Sequence, residues 1–408
     1  MQKYMFIICF FFGLGTLPGQ SLEELRKEVA ANNPSLQALE ESYQAALEKA
    51  PQVGQLPDPE LGIGVFPLPV ETRLGPQQLR IGATQMFPWF GTLKQQEAVA
   101  NTEAQAQYQG IALRRQALYF GLDGAYLELY RLQKKALILE QQIQLLNTLQ
   151  EVALAKVSSG KANTSDVLQV QLQQEELRQR IQILEQAQAA PLATINQLRH
   201  QPSNTAITVV DSLAFANLPF AKDSLLQYIE TTHPQLRMYS LQQEVAQQRL
   251  SLNDLQQKPS FGVGADYIAV QERELATIAN NGRDILQVRA SIKVPLYRKK
   301  YDAREREQNL QIQALQHQKA ASMDEFGAAL ERAYTMHTTA GMELDLYERQ
   351  EDLTNSLIAM LESQYSSANS GMDELLRYEQ QKIDYQLKKL EAIVKSHLAL
   401  REVQRLLF

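Results

Sequence analysis

From residue 92 to 157 the chain contains no proline, and apolar residues recur there every seven positions, at Ile111, Leu118, Ala125, Leu132, Leu139, Leu146 and Ala153. Leu122, Leu129, Ala136 and Ile143 follow members of that series by four, which is the seam pattern of a coiled coil. Unbroken, these residues make a helix about 99 Å long. Residues 296–366 are also free of proline and repeat the plan with Phe326, Ala333, Ala340, Tyr347, Thr354 and Leu361, offset by Leu330, Leu344 and Ile358. A second period, of two, precedes each helix. Leu286, Val288, Ala290, Ile292 and Val294 alternate with Gln287, Arg289, Ser291 and Lys293, and Leu79, Ile81, Ala83 and Phe87 oppose Arg80, Gly82 and Thr84. Period two is a strand, and each segment of nine residues matches the length with which a tilted strand crosses a bilayer. Leu61 to Phe66 and Phe261 to Val270 are the expected partners, giving two hairpins.

The same plan occurs twice. Asn33-Pro34-Ser35-Leu36 and Leu61-Gly62-Ile63-Gly64 are answered 200 residues later by His233-Pro234-Gln235-Leu236 and Phe261-Gly262-Val263-Gly264. Leu79 to Pro88 matches Leu286 to Pro295 at an offset of 207, so the second copy has the longer hairpin loop. Ser/Gly/Asn-rich breaks at Ser158 to Ser165 and Ser366 to Gly371 turn each long helix into a helical hairpin. The expected organisation is a first repeat over 20–219, with a β-hairpin at 58–88 and a helical hairpin at 92–200. A second repeat covers 220–408, with a β-hairpin at 259–295 and a helical hairpin at 296–407. The boundary falls near Pro202 to Pro219, and Pro191 should kink or end the returning helix of the first copy.

Residues 1–19 read as a secretory signal peptide, with Lys3 as the charged region and Met5 to Leu14 as the apolar run. Cys9, the one cysteine, lies inside it, so a processed chain has no thiol for a disulfide, a metal or a nucleophile. A net charge of -6 offers no basic field for nucleic acid. No two of the five histidines are closer than 20 residues, which excludes the HxxxH and HExxH metal spacings. Gly62-Ile63-Gly64 and Gly262-Val263-Gly264 do not complete a dinucleotide fingerprint, and no cofactor is expected. Met336, His337 and Met342 form a local soft-ligand cluster, but His337 falls in the apolar series with Leu330 and Leu344, which favours packing. The acidic pairs Asp373-Glu374 and Glu175-Glu176 diverge on a helix and have no accompanying nucleophile, so the chain does not read as an enzyme. Asp166 reads as a helix-capping acid.

Alternation places Arg80, Asp266, Arg289 and Lys293 on the polar face of the strands, facing a lumen if the strands form a barrel. Trp89, Phe90, Tyr297 and Tyr301 stand just past the strand ends, where an interfacial aromatic belt lies. Four strands cannot close on themselves, and open edges are not tolerated in lipid, so a membrane reading requires oligomerisation.

Taken together, the duplication, the Asn-Pro and His-Pro helix starts, the Gln85-Met86-Phe87-Pro88-Trp89-Phe90-Gly91 segment and the Gly160 and Gly371 turns resemble the TolC-like outer membrane efflux proteins. The resemblance covers nearly all of the chain after the signal. It implies a mainly α fold with a small β part: a duplicated long-helix coiled-coil barrel, plus four strands per chain contributing to a trimeric 12-stranded transmembrane β-barrel. It further implies a location in the cell outer membrane extending into the periplasm. The implied partners are a periplasmic adaptor (membrane fusion) protein, which grips helix tips at Val157, Gly160, Ser165, Tyr365 and Gly371, and an inner-membrane pump of the resistance-nodulation-division type. An acidic periplasmic aperture is implied near the tips, carried to Asp373 and Glu374, with helix capping as the other reading. Asp58-Pro59, the short first hairpin loop and Phe-Pro-Trp-Phe-Gly look most like the heavy-metal efflux branch. A multidrug or secretion conduit is the alternative within the class. A periplasmic coiled-coil scaffold that never enters lipid is the alternative outside it.

Overall fold

The computed structural model describes residues 21–218, 221–274, 278–367 and 371–407; the signal segment, Pro219 and residues 368–370 of the second helix break lie outside them. The first copy contains α1 (Leu22–Asn32), α2 (Pro34–Leu47), α3 (Lys49–Val53), β1 (Glu60–Thr72), β2 (Gly75–Phe87), α4 (Thr92–Ser158), α5 (Thr164–Ala187) and α6 (Ala189–Leu198). The second contains α7 (Lys222–Thr232), α8 (Pro234–Gln256), β3 (Ser260–Val270), β4 (Ile285–Lys293), α9 (Lys299–Ser367) and α10 (Met372–Leu407). Local chemistry sets the helix starts. Ser21 and Glu24 form a reciprocal capping box on α1, and His233 caps α8, whose first residue, Pro234, has no N–H to leave unsatisfied. α5 ends at Ala187, four residues before Pro191, where the proline ring would clash with a continuing turn.

The chain divides into two compact units, one formed by residues 35–114 and 228–325 and the other by residues up to 34, 115–227 and 326 onward. The first contains the sheet, whose four antiparallel strands are ordered β1-β2-β3-β4. The two expected hairpins are therefore one sheet, joined across the copies by pairs such as Gly82↔Asp266 and Thr84↔Gly264. β1 is longer than the expected six residues because it carries on through Pro67 and Pro69 to Thr72. It is an edge strand, where a missing N–H costs no ladder bond, and a register shift between Val65 and Val70 absorbs the irregularity. Leu61, Ile63, Val65, Leu286, Val288 and Ile292 are exposed on one face.

In the second unit the heptad residues form the core. Leu139, Leu146 and Ala153 of α4 pack with Val170 and Leu177 of α5, Ile358 and Leu361 of α9, and Leu375 and Ile383 of α10. α4 closes on a Schellman turn, in which Gly160 takes φ +70°, the Gly160 N–H donates to the Val157 carbonyl at 3.0 Å and the Lys161 N–H to that of Lys156 at 2.8 Å. The segment between the copies lies within this unit and is pinned through its backbone. The Val210 and Leu213 amides donate to the Tyr126 and Tyr130 hydroxyls, each at 3.0 Å, and the Ala216 carbonyl lies 2.7 Å from His337 Nε2. His337 thus serves that segment, with the Phe215 ring 5.0 Å away.

Leu375 is fully enclosed in the four-helix core. Leu375→Ala should cost about 2–5 kcal/mol and lower the denaturant midpoint, whereas Leu353→Ala, at an exposed position on α9, should change it little in the isolated chain.

Candidate functional site

The polar face of the sheet is built around one carboxylate. Asp266 on β3 is 1% exposed and is held by guanidinium groups from both neighbouring strands: Arg80 of β2 at 2.9 Å and Arg289 of β4 at 2.5 Å. Arg289 also donates to Thr84 Oγ1 at 3.3 Å. Because directly paired residues share a face, the arginines lie across a floor of glycines. A Cβ at Gly82 would stand 2.1 Å from Asp266 Oδ1, and one at Gly264 would stand 2.9 Å from the Ala83 carbonyl and from Thr84 Oγ1. A cavity of about 390 Å³ opens over this floor, with Glu60 at its rim. Lys293, on the same face at the far end of β4, makes no ion pair among the described residues.

Beyond the strand ends, Phe90 and Tyr297 are 81% and 84% exposed, and Trp89 stacks on Phe261 with ring centroids 5.9 Å apart. Tyr301 differs from them: it is 5% exposed, under the Lys300 ammonium at 4.7 Å.

At the helix turns, Tyr365 joins the two helical hairpins. Its ring, 3% exposed, lies under the Lys156 ammonium at 4.2 Å, and its hydroxyl donates to Asp166 Oδ2 at 3.3 Å. Lys156 also donates to the Tyr365 carbonyl. The end of α4, the start of α5 and the end of α9 are thereby fastened at one residue. Burial, reinforced by the Asp166 carboxylate, pushes the Tyr365 hydroxyl up to about 12, so it remains a donor at every physiological pH. Asp166, expected as a cap, lies in the first turn of α5 with its carboxylate engaged by Tyr365 and so serves a partner across the hairpins. Val157 is half-buried, whereas Gly160 and Ser165 are exposed. Gly371 takes φ +114° before α10, and Asp373 and Glu374 are exposed in that helix's first turn, Glu374 lying 3.6 Å from Arg377.

The sequence reading missed Glu379. It lies four residues after Leu375 and three after Leu376, a spacing that marks a core position, and it is 1% exposed. Among the described residues its carboxylate accepts one hydrogen bond, from Gln142 Nε2 at 3.1 Å, and its other oxygen has no partner. Burial pushes its carboxyl above the usual range, against the opposing pull of that hydrogen bond.

No protein-family model matches the sequence, and no curated protein matches it either. Solved structures do. The chain is similar to the outer membrane protein VceC of Vibrio cholerae, with 15% identity over 95% of this chain and 96% of that one and a TM-score of 0.72. CusC, described as forming a transmembrane channel, matches at 14% identity over 100% and 98% of the two chains, with a TM-score of 0.73. The open state of the MtrE outer membrane channel of Neisseria gonorrhoeae matches at 13% identity over 95% and 88%, with a TM-score of 0.74. The chain therefore has the TolC-like channel fold, mainly helical with one four-stranded antiparallel sheet.

Glu379 gives the helical hairpins a pH signature. A carboxyl whose folded value lies above its unfolded value destabilises the fold when ionised, and the penalty lifts as pH falls through the folded value. Glu379→Gln should raise the unfolding midpoint at pH 7, and its advantage over the parent should shrink on acidification toward pH 5. A constant advantage across that range in thermal melts would show that the carboxylate charge is not the cause.

Proposed function

We propose that three copies of this chain assemble into a passive duct through the outer membrane, with their strands closing one 12-stranded barrel and their long helices continuing it through the periplasm. One observation carries this reading: a four-stranded sheet with an exposed apolar face and two unpaired edges, β1 and β4, in a single chain. In water the apolar face is a liability and in lipid an open edge is, so only pairing β4 of one copy with β1 of the next relieves both. Exposed apolar residues on the helices, Leu346, Leu353 and Met360 of α9 and Leu168 and Leu172 of α5, supply surfaces for neighbouring copies. No described helix is long and apolar enough to cross a membrane. The fold shared with VceC, CusC and MtrE supports the same role. The periplasmic adaptor would grip the turns around Val157 to Ser165 and Tyr365 to Glu374, and a resistance-nodulation-division pump in the inner membrane would supply the energy. For the cargo we carry forward heavy-metal cations, on the sequence resemblance and the exposed acids Asp373 and Glu374. A non-inserting scaffold has no use for an exposed apolar sheet face.

Charge placement tests the barrel. Val288→Arg, on the apolar face, should cost about 2–4 kcal/mol at mid-membrane and abolish an outer-membrane trimer in detergent extracts measured by light scattering, while Gln287→Arg on the polar face should assemble. Equal assembly of both variants would refute the facing. Replacing Asp373 and Glu374 together with Ala should weaken divalent-cation block of the trimer's current in planar bilayers. An unchanged current would leave these acids as helix-dipole partners only.

A further inference from the structure

Two opposite charges stand on the polar face of the sheet, one on each of its free edges. Glu60 opens β1 and Lys293 closes β4; both are exposed, and neither makes an ion pair among the described residues. They share a face, because Glu60 pairs with Thr84, Thr84 with Gly264 and Gly264 with Arg289, from which β4 alternates through Ser291 to Lys293. Both lie at the end of their strand nearer the helices, Glu60 after α3 and Lys293 before α9. Gly62 and Gly64 follow Glu60 on that face of β1. A Cβ at Gly82 or Gly264 would collide with neighbouring atoms, whereas one at Gly62 or Gly64 meets nothing within 4 Å, so no crowding within the single chain calls for glycine there.

One register of a second copy's β1 against β4 accounts for both features. With Glu60 of the next copy opposite Lys293, Gly62 stands opposite Ser291 and Gly64 opposite Arg289, so the long Arg289 side chain again has a glycine beside it. On the other face Leu61 meets Ile292, Ile63 meets Ala290 and Val65 meets Val288, all exposed in the single chain, and the apolar band runs on unbroken. All nine residues of β4 find a partner on β1, and these pairs precede Pro67, which has no N–H to give. Barrel geometry selects the same register. The path from Glu60 through Thr84, Gly264 and Arg289 arrives at Gly64 of the next copy, an advance of four residues per copy. Around a ring of three copies, with strands ~4.8 Å apart and a rise of ~3.4 Å per residue, that slip tilts the strands by about 35°, within the range at which barrels close. A slip of two residues one way sets Asp58, ahead of the strand, opposite Lys293 and lowers the tilt to about 20°. Two residues the other way set Gly62 opposite Lys293 and raise it to about 47°.

We infer that the seam between copies is set in register by an ion pair between Lys293 of one copy and Glu60 of the next, at the end of the polar face nearer the helices. The inference rests on the trimeric barrel proposed above and adds which residues of the two edges meet. A slip of one residue would turn the apolar set to the polar face, so only even slips compete, and the charge pair distinguishes among those.

The experiment uses the full-length chain in a Cys9→Ala background, so that introduced thiols are the only ones. Gly62→Cys with Ser291→Cys places two thiols directly opposite each other across the seam, where Cα atoms ~5 Å apart permit a disulfide. Outer-membrane material extracted in detergent and mildly oxidised should run as covalent dimers and trimers on denaturing gels until it is reduced. Gly64→Cys with Ser291→Cys, a diagonal pair ~7–8 Å apart, should cross-link at least about tenfold less. Lys293→Glu or Glu60→Lys alone should lower the temperature at which the extracted trimer dissociates, and the two together should restore it. Light scattering of the parent chain separates the two ideas. A parent that is never trimeric in the outer-membrane fraction overturns the barrel, and the register with it. A trimer that cross-links preferentially through Gly64→Cys, or whose double charge reversal is no more stable than the single ones, overturns the register and leaves the barrel standing.

Discussion

An antiparallel sheet of four strands has two edges, and the constraint on this chain is that no described strand pairs with either of them. β2 and β3, one from each copy of the duplicated plan, occupy the centre, and β1 and β4 are left outside. The outward face is apolar, while the opposite face carries Arg80, Asp266 and Arg289. Closure with further strands is the physical solution to both problems, and the trimer proposed above supplies it. Closure also explains the glycine floor. Two long guanidinium groups can cross three strands toward one carboxylate only where the positions beneath them carry no side chain, as at Gly82 and Gly264.

The helices solve a different problem. A helix the length of α4 or α9 gains little from propensity alone and is held by its seam, which here uses Leu and Ala on α4 and a more mixed set on α9. Polar groups inside that seam are costly, and each stands where two helices or hairpins meet. Glu379 faces Gln142, Asp123 faces Arg26 and Arg401, and Tyr365 spans Lys156 and Asp166. Burial of such groups exacts stability unless they are fully partnered. Tyr365 is satisfied at its hydroxyl, whereas Glu379 is half satisfied, so the helical hairpins carry both a firm fastening and a strained one.

Much of this was legible in the chain, because periodicity is a local property. A seven-residue repeat sustained over about twelve turns admits one reading, as does strict alternation over nine residues, and both elements lie where the patterns put them. The Pro191 break, the Gly160 turn and the shared polar face of Arg80, Asp266, Arg289 and Lys293 followed from the same local rules. What alternation could not give was partnership across the duplication: that β2 pairs with β3, that Arg80 and Arg289 converge on one carboxylate, or that β1 continues through two prolines because it is an edge.

The sequence by itself determined the elements, their lengths and which face of each is apolar, since those depend on residues within a few positions of one another. Tertiary structure decided which polar groups are buried together. Asp166 reads as a cap until Tyr365, 199 residues away, takes its carboxylate, and Arg26, Asp123 and Arg401 are unremarkable until three helices bring them to one cavity. A charge or hydroxyl carries no periodic signal of its partner. Its chemistry is fixed by desolvation and by distance, and both of those exist only once the chain has folded.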